Sequence, residues 1–118
     1  MQFTLTKEDL SDLMSQIQSV VPSKPALPIL SNFMLKASDE GLELTATDLT
    51  VGIRCFVKAP VTAAGSTTIP SRRFFQLMRE MTSPSIDVTV GESDICEIKS
   101  ASSHFKLNGM SGNDYPAL

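Results

Sequence analysis

The sequence predicts an α+β domain: one β-α-β-β-β unit used twice, with two helices on one side packed on antiparallel sheets. Three observations predict it. Two stretches carry helical apolar periodicity, Lys7 to Val21 and Arg72 to Met81. Each follows a short strand and precedes three segments with the period-2 alternation of half-buried strands. The order runs over about 1–60 and begins again over about 65–108. Each strand triplet has an apolar face to cover, and an amphipathic helix can cover it.

Met1 to Leu5 form the opening strand, and Thr6 stands as N-cap of the first helix. Leu10, Leu13, Met14, Ile17, Val20 and Val21 make that helix's apolar stripe, and Pro22 and Pro25 end it. Its other side holds Glu8, Asp12, Ser15, Gln16 and Ser19, short polar groups suited to water or a wet partner. Phe33, Leu35 and Ala37 alternate with Asn32, Met34 and Lys36, and Asp39-Glu40-Gly41 turns the chain into Leu42, Leu44 and Ala46. Val51, Ile53, Cys55 and Val57 line one face of the next strand, which ends at Pro60.

In the second unit Thr67 to Ile69 is a short strand and Pro70-Ser71 opens a helix with Phe74, Leu77, Met78 and Met81 inward. Ile86, Val88 and Val90 alternate with Asp87 and Thr89, and strands over Ile95 to Lys99 and Ser103 to Leu107 complete the unit. The polar tail from Gly109 to Leu118 lacks a closing element and reads as a linker into further chain.

At 118 residues, 42% hydrophobic and 19% charged, the chain has the length and composition of one folded domain. It has neither a membrane-spanning apolar run nor a signal-peptide start, and a cytoplasmic protein is expected. Cys55 and Cys96 lie inside strand patterns without metal-ligand spacing, so buried free thiols are expected, with no metal and no cofactor. The net charge of −3 excludes a strongly basic, tight nucleic-acid binder.

No phosphate-binding glycine loop, zinc-protease motif or nucleophile elbow is present, and His104 is the one histidine. Glu8, Asp9 and Asp12 suit a helix N-terminus electrostatically and need no catalytic role. No active site is therefore expected. Arg72 and Arg73 oppose the dipole at the start of the second helix, where Gln76 and Leu77 offer no counterion at i+4. Arg72, Gln76 and Arg79 fall on a stripe opposite the apolar one, as donors for phosphate or as solvated arginines that meet an acidic surface. Lys24, between two prolines in a loop, is a further cation of this kind, in a span from Leu13 to Ser38 without acids. Phe105 and Leu107 serve either the core or an intersubunit seam at a sheet edge.

Met1-Gln2-Phe3-Thr4, the run Pro25 to Asn32, the run Leu42 to Leu49, Thr67 to Phe75 and Asp114-Tyr115-Pro116 together resemble one family. It is the first domain of the bacterial DNA polymerase III beta subunit, the replicative sliding clamp. The resemblance implies three such domains per chain and two chains closed head to tail into a ring around double-stranded DNA. Replicative polymerase and clamp loader are the implied partners, held mainly by the later domains. It places Lys24, Arg72 and Arg73 near DNA, where Arg79 joins them by its place on the same helical stripe, and it places Arg73, Phe105 and Leu107 at the dimer interface, with His104 beside them in the same strand. Ser102 and His104 stand where relatives can carry arginine. The alternative is a non-catalytic protein-interaction domain on the same duplicated scaffold.

Overall fold

The computed structural model describes residues 1–117; Leu118, the end of the expected linker, lies outside them. The first unit consists of β1 (Gln2–Thr6), α1 (Lys7–Gln18), β2 (Asn32–Ser38), β3 (Gly41–Thr47) and β4 (Gly52–Val57). A short β5 (Val61–Ala63) follows. The second unit is β6 (Gly65–Pro70), α2 (Ser71–Glu80), β7 (Ser85–Val90), β8 (Ile95–Ser100) and β9 (Ser103–Asn108).

The two units exchange their first strands. One sheet has the order β5-β1-β7-β8-β9 and the other β4-β3-β2-β6, so β1 lies against β7 and β6 against β2. Neither unit can complete a sheet without the other. Both sheets are antiparallel throughout, and their inward positions follow the alternation of the sequence. Phe3, Leu5, Ile86, Val88 and Ile98 are buried from one sheet, and Phe33, Leu35, Leu42, Leu44 and Ile69 from the other. Leu10, Met14 and Ile17 of α1 and Phe74 and Met78 of α2 join the same core, with Phe33 and Phe74 packed edge to face at 5.6 Å.

Thr6 caps α1 as expected, its hydroxyl accepting from the Asp9 N–H at 3.1 Å. The helix stops at Gln18, three residues before Val21: the Ser19 and Val20 N–H groups donate only three residues back, to the Gln16 and Ile17 carbonyls, and Pro22 has no N–H with which to continue it. The α2 helix begins at Ser71, one residue early, and ends at Glu80.

The tail is docked. Met110 bridges to Thr68 on the outer edge of β6, and Gly109 passes so close to the Thr68 and Asp94 carbonyls that a Cβ would collide with them. Further on, the buried Tyr115 hydroxyl accepts from the Thr47 N–H of β3 at 3.0 Å. The outer strands are the three-residue β5 and β9 in one sheet and β4 and β6 in the other; Met110 covers part of β6, which leaves β4 and β9 as the longer open edges among the described residues.

Candidate nucleic-acid interface

The surface in question is a wall made of α1 and α2, which pack on each other. Cross-unit bonds set their relation. The Lys7 N–H donates to the Pro84 carbonyl at 2.8 Å, and the Lys7 ammonium donates to the Met81 carbonyl just past α2. At the other end the Ser71 hydroxyl donates to the Ser31 carbonyl at 3.0 Å. The start of α1 is thereby held at the end of α2, and the start of α2 at the segment that follows α1.

Apolar stripes turn inward and polar ones outward. On α1, Glu8, Asp12, Ser15 and Ser19 are exposed, directly opposite Leu10, Met14 and Ile17. On α2, Arg72, Gln76 and Arg79 are exposed opposite Phe74 and Met78, so the predicted basic stripe is where helical spacing puts it. No side chain caps the N-terminus of α2, and Pro70 supplies no N–H. Open backbone donors and the two guanidinium groups of Arg72 and Arg73 therefore concentrate positive potential at one point.

The ion pairs among the described residues are Arg54 with Glu43, and His104 and Lys106 with Glu97. Lys24, Arg72, Arg73 and Arg79 take part in none of them. Lys24 is exposed in the loop after α1. The Arg79 guanidinium lies 4.7 Å from the centre of the Phe75 ring, a cation–π contact within its own helix.

Arg73 faces elsewhere from Arg72. With Gln76, Leu77, Glu80, Phe105, Lys106 and Leu107 it lines an open hollow of about 440 Å³ between α2 and β9. Half-buried Phe105 and Leu107 thus share one place with Arg73, at an unpaired sheet edge. His104 is on the opposite face of that strand, Nε2 3.5 Å from the Glu97 carboxylate that also holds Lys106 at 3.5 Å.

Both thiols are shielded from solvent. Cys55 and Cys96 are buried, free and in different sheets. Burial, aided by the Glu97 charge, pushes the Cys96 thiol up to about 12. Among the described residues no group of three or more histidine, cysteine or acidic side chains could hold a metal, and no helix is long and apolar enough to cross a membrane.

Sequence reasoning missed Lys7, whose ammonium fixes the helix pair. A lysine in the first helical turn opposes the dipole, and that is the signal that could have marked it.

In sequence and fold, the chain matches known proteins over its whole length. The sequence model of the DNA polymerase III beta subunit N-terminal domain fits residues 1–118. A beta sliding clamp of Chlamydia muridarum is 43% identical over the full chain, which spans 32% of that relative. One of Vibrio harveyi is 37% identical, and there the chain spans 82% of the relative. Among solved structures, the DNA polymerase sliding clamp of Bacillus subtilis superposes with a TM-score of 0.96 at 25% identity, over all of this chain and 33% of that one. A sliding clamp of Pseudomonas aeruginosa, solved bound to griselimycin, gives 0.92 at 30% identity over 32% of its length. The chain spans about one third of the length of most of these relatives. It belongs to the family of the DNA polymerase III beta subunit, as its N-terminal domain.

Proposed function

We propose that this chain is an arc of a ring through which duplex DNA threads, a processivity factor that tethers the replicative polymerase and has no catalytic site of its own. The observation that carries this reading is the wall itself: two helices side by side, apolar stripes buried, polar stripes open, with Arg72 unpaired on its surface. A weakly charged, polar, two-helix face suits base-blind contact with phosphates through water.

On this reading the chain is the first of three clamp domains, itself two pseudo-repeats over about 1–60 and 65–108. Two full-length chains close head to tail in the cytoplasm. Lys24, Arg72, Arg73 and Arg79 supply the charge toward DNA, Arg79 from its seat on Phe75. Phe105 and Leu107 pack against the partner chain, with Arg73 and His104 on either side of them. Polymerase and clamp loader bind mainly through the other domains, and neither cofactor nor metal is needed.

Each phosphate neutralised lowers log affinity by about 0.9 per decade of salt, so a few cations hold DNA only loosely. Loose contact lets a ring slide, and enclosure prevents its loss. The test is Arg72→Glu with Arg73→Glu in the full-length protein, which should weaken loading onto DNA about tenfold or more at moderate salt. Unaltered loading would favour a protein-interaction surface instead.

A further inference from the structure

Charge is distributed unevenly along the wall. Where α1 starts and α2 ends, Glu8, Asp12 and Glu80 are exposed and take part in no ion pair. Of the two cations of that end, Lys7 is turned to the Met81 carbonyl, and Arg79, exposed over the Phe75 ring, is outnumbered by the three carboxylates. At the opposite end stand Arg72 and Arg73, with Lys24 in the loop that follows α1, and there is no acid in the chain from Leu13 to Ser38 or in α2 before Glu80. The wall is thus a dipole in its own right.

We infer that Glu8 and Asp12 repel the duplex, biasing phosphate contact toward the Arg72 end and keeping the encircled DNA free to move; this rests on the encirclement proposed above. Both sit on the outward stripe of α1, at i and i+4, with Ser15 and Ser19 continuing it. Helix-dipole stabilisation accounts for an acid in the first turn, as Glu8 and Asp9 are, but the effect fades beyond that turn. Asp12 lies past it. Like charge at short range across a wet gap opposes approach and is screened within about 10 Å at 0.1 M salt. Removal of the two carboxylates leaves the outward stripe of α1 uncharged, with Glu80 turned toward the hollow beside β9, so the duplex can settle closer to that end.

The experiment follows the one-dimensional diffusion of labelled full-length protein loaded on stretched duplex DNA. Glu8→Gln with Asp12→Asn should diffuse about two- to fivefold more slowly than the parent at low salt, the difference shrinking as salt rises. Asp12→Asn alone, outside the first turn, should move in the same direction by less. Asp9→Asn removes a first-turn charge a quarter turn away from the stripe and should diffuse like the parent. Equal or faster diffusion of the double variant overturns the inference while the encirclement stands. Equal slowing by Asp9→Asn also overturns it, since the cause would then be helix weakening. Failure of the parent itself to remain on circular DNA overturns both.

Discussion

Tyr115 shows how much one side chain near the end of the described chain contributes. Its hydroxyl is the partner of a buried backbone N–H on β3, that of Thr47. Tyr115→Phe leaves that N–H without an acceptor and should cost about 1–2 kcal/mol, read as a lower urea midpoint with unchanged slope. An unshifted midpoint would mean that water replaces the hydroxyl. Asp48 is a second local anchor: the Val51 and Thr50 N–H groups donate to its carboxylate at 2.7 and 2.9 Å and hold its pKa below the usual range. The folded value is depressed, so this contribution is complete above the ordinary carboxylate pKa and is lost as pH falls through the lowered folded value. An NMR titration should place Asp48 below an aspartate in an unstructured peptide; a midpoint at or above that would contradict the assignment. The Thr6 cap was legible because a hydroxyl directly before a periodic run has one common use. Tyr115 was not, since its partner is 68 residues away and nothing local marks the pair.

At the scale of elements, both helices and the six strands that follow them were readable from periodicity alone, and errors fell where tertiary contacts decide. The β5 strand has three residues, too few to alternate, and exists because β1 offers it an open edge. The cross-pairing of β1 with β7 and β6 with β2 is likewise non-local and carries no sequence signature. In the candidate site, the outward position of Arg72 and Arg79 followed from helical spacing. That Arg73 turns toward Phe105 and Leu107 required knowing that α2 lies beside β9. This grouping makes β9 the element to test. Phe105→Ala with Leu107→Ala in the full-length protein should weaken the proposed dimer by about 2–4 kcal/mol, roughly 30- to 1,000-fold in dissociation constant. Sedimentation that shows the dimer unchanged at nanomolar concentration would remove β9 from the seam.

For the whole molecule, a net charge of −3 and the proposed DNA-facing role are reconciled by topology. The exchanged first strands tie the two units into one body, which can hold two helices as a stiff wall while its longer sheet edges, β4 and β9, remain open for continuation. Stiffness, a polar inner face and weak charge are what an enclosing arc requires, whereas a gripping domain would need many more cations. Enclosure and grip part company when the DNA has ends. The decisive measurement is retention of the full-length protein, loaded on nicked circular DNA, before and after the circle is cut once. The account predicts retention for many minutes at moderate salt and rapid loss on linearisation. Equal retention on circle and line would contradict it.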